Sequence, residues 1–68
     1  MMFIFTKEMA KRIKEIRELS GLTQREVAEA LGLKANHGQS FIARLENGIV
    51  NNPSLRTILD FLRACGES

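Results

Sequence analysis

The stretch that most constrains the fold is TQREVAEALGLKANHGQSFIARLEN at residues 23–47. It predicts a helix, a turn and a second helix. The first helix spans residues 24–31, and three apolar residues fall on one of its faces at helical spacing: Val27, Ala28 and Leu31. Gly32 follows at the position where a left-handed residue ends a helix with least strain. Thr23 and Glu26 have the spacing of a capping box at the other end.

The second helix is predicted over residues 39–46, with Ile42 and Leu45 turned inward. Gly38 is expected as its N-cap, and its outward side chains are Gln39, Ser40, Ala43 and Arg44. These side chains suit base recognition. A Gln amide matches N6 and N7 of adenine, Arg matches guanine, and a small apolar side chain contacts the thymine methyl group. The alternative for this face is a surface that binds a partner protein.

An ordered set of motifs makes the chain resemble a known family, the helix-turn-helix domains of the Cro and lambda-repressor type, also called the XRE family. The matching residues run from about Lys7 to Gly66. The motifs are Leu22-Thr23-Gln24, Val27-Ala28, Leu31-Gly32, Gly38-Gln39-Ser40, Ile42, Leu45-Glu46-Asn47-Gly48 and Asn52-Pro53-Ser54-Leu55. The resemblance implies an all-α, compact four-helix domain that binds double-stranded DNA.

The resemblance also implies roles for particular residues. Arg17 and Glu46 match a largely buried ion pair between the first and third helices, and Gln24 matches a residue that contacts phosphate and braces the first residue of the recognition helix, here Gln39. Asn47 matches a further phosphate contact. The full set of expected phosphate contacts is Thr23, Gln24, Lys34, Asn47, Asn51 and Ser54.

One departure from the family pattern concerns the turn. Counted from Gln24, Ile42 comes four positions later than its counterpart in the family, so Lys34-Ala35-Asn36-His37 is interpreted as an insertion in the loop. Without the insertion, Gly38 and Phe41 would take the core positions and Ile42 would face water. Burial favours the insertion, since each buried Ile or Leu stabilises a fold by about 1.5 to 3 kcal/mol.

Two further helices flank the motif. The first is predicted over residues 7–20, with inward residues Met9, Ile13, Ile16 and Leu19. Its cations at residues 11–17 are either a phosphate-facing stripe or a solvated face. The last helix is predicted over residues 53–64, with Asn52 as cap and an inward stripe of Leu55, Ile58, Leu59 and Leu62. Phe61 and Cys65 lie off this stripe. They are either exposed residues with no particular role or a dimer contact.

The apolar arm MMFIF at residues 1–5 leaves two alternatives open. In the first, Phe3 or Phe5 packs over the core ahead of an N-cap at Thr6. In the second, the arm is a short β-strand that pairs with the same strand of a second subunit.

Length and composition exclude several classes of protein. We expect one domain over residues 1–68, stabilised by association, because so small a chain is marginal alone. The net charge of +2 does not by itself indicate nucleic acid. The lone Cys65 fits a reducing cytoplasm, and with the lone His37 it offers no metal site. No segment resembles a signal peptide or a membrane span, and no catalytic constellation or cofactor motif indicates an enzyme.

The sequence therefore predicts a cytoplasmic, nucleoid-associated transcriptional regulator that represses as a homodimer at a pseudo-palindromic operator. The main alternative is the antitoxin of a toxin–antitoxin pair, which binds a toxin protein and represses its own operon. A controller protein of a restriction–modification system is a further variant of the same class.

Overall fold

Four helices make up the fold of the computed structural model, which describes residues 3–50 and 52–66, with Ala35 described by its backbone only. They are α1 (Lys7–Leu19), α2 (Gln24–Ala30), α3 (Ala35–Glu46) and α4 (Leu55–Ala64). The described residues contain no strand. The all-α, four-helix class predicted from the sequence is confirmed.

Hydroxyl side chains cap three of the helices. Thr6 accepts the amide of Met9 at 3.1 Å at the start of α1. At α2 the predicted capping box is confirmed, because Thr23 accepts the Glu26 amide at 3.0 Å and Glu26 accepts the Thr23 amide at 2.9 Å. These bonds satisfy amides that have no partner inside the helix.

The cap of α4 differs from the prediction. Ser54, and not Asn52, is the N-cap and accepts the Thr57 amide at 3.1 Å. Pro53 is buried ahead of the helix, and Asn52 takes a φ of 51°, which turns the chain before the helix begins. The helix therefore starts two residues later than expected, at Leu55.

The core lies between all four helices. Its fully or nearly fully buried apolar residues are Ile13, Val27, Ala28, Ile42, Leu45, Ile58 and Phe61. At the N-terminus, Phe3 and Phe5 are half-buried against this core. The described part of the arm forms no strand within the chain, and Met1 and Met2 lie outside the described residues. Strand pairing with a second subunit stays a prediction.

The inward face of α1 was predicted wrongly in part. Leu19 is 83% exposed, whereas Ala10 and Arg17 are buried with Ile13. Apolar periodicity missed Arg17 because a charged side chain enters a core only when a partner neutralises it, and that partner lies 29 residues away.

The inward face of α4 is rotated from the predicted stripe. Phe61 is fully buried, so the interpretation of Phe61 and Cys65 as a dimer ridge is wrong. Leu55 and Leu59 are instead 50% and 42% exposed. Both stripes satisfy helical spacing, and burying the larger phenylalanine selects the observed one.

The start of α3 is the largest correction. Residues 35–38 are the first turn of the helix and not a loop, and Lys34 occupies the N-cap position without a side-chain cap bond. Gly38 is buried inside the helix and is not its cap. Because four residues are close to one helical turn, Gly38, Ile42 and Leu45 all face inward together. The sequence interpretation had treated these positions as competing alternatives.

Candidate nucleic-acid interface

The outward surface of α3 carries the side chains that the sequence predicted for base recognition. Gln39, Ser40 and Arg44 are exposed, and Ala43 is half-buried. Phe41 is half-buried and packs against the core. The early start of α3 adds two exposed residues to the same surface, Asn36 and His37.

Helical geometry distinguishes these side chains by direction. At 100° per residue, Ser40 points almost directly away from the buried line formed by Gly38, Ile42 and Leu45. Asn36 lies one turn before Ser40 on the same outward line. Gln39 points sideways from the helix, in nearly the same direction as the buried Glu46 seven residues later.

A cluster of three side chains fixes the C-terminal end of α3. Arg17 of α1 donates from Nε to Glu46 Oε2 at 2.5 Å and from its second terminal nitrogen to Oε1 at 3.1 Å. Gln24, the first residue of α2, donates from Nε2 to Oε1 at 3.1 Å. One carboxylate therefore ties α1, α2 and α3 together, as the resemblance implied for Arg17 and Glu46.

Gln24 takes part in the same cluster. Its amide was expected to contact phosphate and to brace Gln39, and in the structure its nitrogen donates to Glu46. The hydrogen bond from Arg17 to Glu46 is the main cause that raises the pKa of Arg17, and burial has the opposing effect. The guanidinium makes one more bond, to the carbonyl oxygen of Leu22 at 2.8 Å, which holds the chain before α2.

The expected phosphate-contacting residues lie at helix ends. Thr23 is exposed and its hydroxyl, which accepts within the capping box, retains a hydrogen that can be donated. Asn47 is the exposed C-cap of α3, and the bond between Gln24 and Glu46 holds it near the start of α2. Lys34 is exposed before α3, and Ser54 caps α4. Asn51 lies outside the described residues.

A shallow groove runs along one edge of the outward surface of α3. It is lined by Leu33, Lys34, His37, Gly38, Phe41 and Arg44. Within the described residues, the ion pairs join Arg17 to Glu46 and Arg56 to Asp60. The three basic side chains of the groove therefore stand beside an apolar floor with no acidic partner.

The first turn of α3 is what sequence reasoning missed at this site. Asn36 and His37 had been assigned to a loop. The available signal was the spacing of Gly38, Ile42 and Leu45, which is i, i+4 and i+7 on one helical face. Gly38 hid this signal because glycine is usually read as a helix breaker.

Other kinds of site receive no support from the described residues. Among them no group of His, Cys, Asp and Glu side chains is arranged to hold a metal ion. No helix among them has the length and apolar character that a membrane crossing needs.

Comparison with known proteins agrees with this geometry. A family model described as helix-turn-helix matches residues 13–68, which is most of the chain. The chain belongs to the helix-turn-helix family of the Cro and lambda-repressor type. Neither the curated proteins nor the solved structures compared with the chain gave a match.

Membership of the helix-turn-helix family assigns the parts of the structure. α2 and α3 are the two helices of the motif, and α3 is its recognition helix. The family places the chain among DNA-binding transcriptional regulators. In this helix-turn-helix protein the recognition helix has 12 residues, from Ala35 to Glu46.

Proposed function

We propose that the chain is a sequence-specific transcriptional repressor that binds a pseudo-palindromic operator as a homodimer. The charge of α3 is the observation that carries the proposal. The recognition helix contains a single acidic residue, Glu46, which is 4% exposed and paired with Arg17. Its exposed surface therefore offers amides, a hydroxyl and the guanidinium of Arg44 to a ligand.

Such a surface suits the major groove of DNA. The groove presents hydrogen-bond acceptors and donors between two lines of phosphate, so an exposed carboxylate would be repelled. On this proposal Gln39, Ser40, Ala43 and Arg44 face the bases. Thr23, Gln24, Lys34, Asn47, Asn51 and Ser54 face the phosphates and set the register of the protein on the duplex.

The homodimer is supported by exposed apolar side chains on α4. Leu55 and Leu59 are 50% and 42% exposed, one turn apart, and the half-buried Leu62 continues the same line. The chain measures 30 × 24 × 18 Å. The centres of two copies placed side by side along the longest axis would therefore lie about 30 Å apart, close to the spacing of successive major grooves, about 34 Å. We assign this leucine line to contact with a second copy.

DNA binding is tested by the anisotropy of a fluorescent duplex from the region upstream of the gene, against a random duplex, at two salt concentrations. We expect preference for the upstream duplex, lost in a Ser40→Ala/Arg44→Ala double variant. Arg63→Ala is the matched control, since it removes one exposed positive charge from α4 instead of α3. Equal binding to both duplexes at either salt concentration would contradict a sequence-specific repressor.

The dimer is tested by sedimentation of the wild type and of Leu59→Glu. A dimer that dissociates in the variant, with helix content unchanged, supports the assignment of the leucine line. A wild type that stays monomeric contradicts the homodimer. The antitoxin alternative then gains weight if a small protein encoded beside this gene co-purifies with the wild type and not with Leu59→Glu.

A further inference from the structure

We propose that Asn36 is a base-contacting residue and that the first turn of α3 lengthens the half-site this protein recognises. The inference rests on the proposed DNA binding and goes beyond the residues that the family pattern supplied. That pattern began base recognition at Gln39. In the structure the helix already exists four residues earlier, at Ala35.

The distance of this extra turn along the helix axis can be measured from the fixed C-terminal end of α3. Glu46 is fixed by Arg17 and Gln24, so distances along the helix can be counted from it. Asn36 lies ten residues before Glu46, which is about 15 Å along the axis, whereas Gln39 lies about 10 Å away. One added turn of four residues is about 6 Å, close to two base pairs at a spacing of about 3.4 Å.

The direction of Asn36 agrees with this role. It shares the outward line of the helix with Ser40, opposite the buried Gly38, Ile42 and Leu45. Gln39 instead shares its side with the buried Glu46. Bases that face the outward line of α3 would therefore contact Asn36 and Ser40 before Gln39.

Packing at Gly38 holds the extra turn in place. A Cβ atom added there would lie 2.8 Å from the Leu33 Cβ and 2.9 Å from the Ala28 Cβ, so the backbone of α3 touches α2 and the turn at this point. Only a glycine permits so close an approach. The turn that carries Asn36 is thus part of the packed structure, and its side chain starts from a fixed position.

The chemistry of Asn36 specifies the base. Its side chain is exposed and makes no hydrogen bond within the described part of the chain. An Asn amide can donate to N7 of adenine and accept from N6 in the major groove, a bidentate pair that discriminates strongly against other bases. The structure therefore assigns an adenine to the outer edge of each half-site.

The test is selection of bound duplexes from a randomised pool by the wild type, Asn36→Ala and Gln39→Ala. We expect the wild type to select an adenine at an outer position, and Asn36→Ala to lose about tenfold of the discrimination there while the inner positions are unchanged. Gln39→Ala is the matched control, because it shortens an amide on the same helix and should keep the outer adenine.

A second measurement uses 7-deazaadenine at the selected position, which removes the N7 acceptor. It should weaken binding of the wild type and leave Asn36→Ala unaffected. If Asn36→Ala selects the same outer adenine as the wild type, the inference is overturned while the proposed function stands. If the wild type selects no motif at all, the proposed function fails and this inference fails with it.

Discussion

Arg17 of α1 and Glu46 at the end of α3 form a buried ion pair, with Nε of the guanidinium 2.5 Å from Oε2 of the carboxylate. Both residues are almost fully removed from water. Desolvation offsets much of the attraction in such a pair, but removal of one partner leaves the other charge without compensation. The pair therefore matters more for what its loss would do than for the net stability it adds.

Arg17→Met should lower the free energy of unfolding by about 3 kcal/mol or more, because Glu46 would remain buried with Gln24 as its main donor. The double variant Arg17→Met/Glu46→Leu should recover much of that loss, since it buries no charge. Urea denaturation followed by circular dichroism measures both. A double variant no more stable than Arg17→Met would contradict this prediction.

Gly38→Ala should destabilise the fold by about 1 to 2 kcal/mol. Alanine favours a helix over glycine by about 0.5 to 1 kcal/mol, but overpacking costs about 1 to 3 kcal/mol, and the added methyl would meet two Cβ atoms under 3.0 Å away. Thermal unfolding measures the change. Gln39→Ala, at an exposed position of the same helix, is the control and should be nearly neutral. A stabilised Gly38→Ala variant would mean that α3 moves freely away from α2.

Ser54→Ala should cost about 1 kcal/mol, since the hydroxyl accepts the Thr57 amide at the start of α4. Asn52→Gly should leave stability unchanged or raise it slightly, because its φ of 51° suits glycine and it caps nothing. The two variants separate the observed cap from the one that the sequence suggested. The order of their urea midpoints decides between them, and a larger loss from Asn52→Gly would contradict the observed cap.

Phe61→Ala should lower the free energy of unfolding by about 3 to 5 kcal/mol, as expected for a fully buried aromatic side chain. Leu59→Ala, two residues earlier on the same helix but 42% exposed, should have a much smaller effect when both variants are measured on the monomer. Because a small domain has little stability to lose, Phe61→Ala is best measured with a stabilising osmolyte present. Similar losses for both variants would contradict the observed orientation of α4.

The sequence predicted those parts of the fold that local patterns determine. The helix α2, its capping box and the glycine turn after Leu31 all follow from residues a few positions apart, and the structure contains them. The faces of α1 and α4 did not follow from local patterns, because the buried face of α1 includes a charged residue and the sequence of α4 allows two apolar stripes. Contacts between distant residues choose between them, as Arg17 and Phe61 show.

The start of α3 could not be predicted from residues adjacent in sequence, for a related reason. Gly38 disfavours a helix when only its neighbours in sequence are considered. In the fold its missing side chain lets α3 approach Ala28 of α2, and that contact lies outside any sequence window. The residues expected at the DNA surface were assigned by family pattern, so the exposed residues of the first turn of α3, Asn36 and His37, were left out of that set.

The length of the added segment explains why the core tolerates it. Four residues rotate a helix by about 400°, only about 40° past a full turn, so every inward position still faces inward. An addition of two residues would instead rotate the parts of the chain on its two sides by about 200° relative to each other. Because Gly38 in the added turn packs against Ala28 and Leu33, that turn belongs to the core. Loss of a whole turn would therefore keep the directions of the remaining side chains of α3 but would remove a contact between α3 and α2.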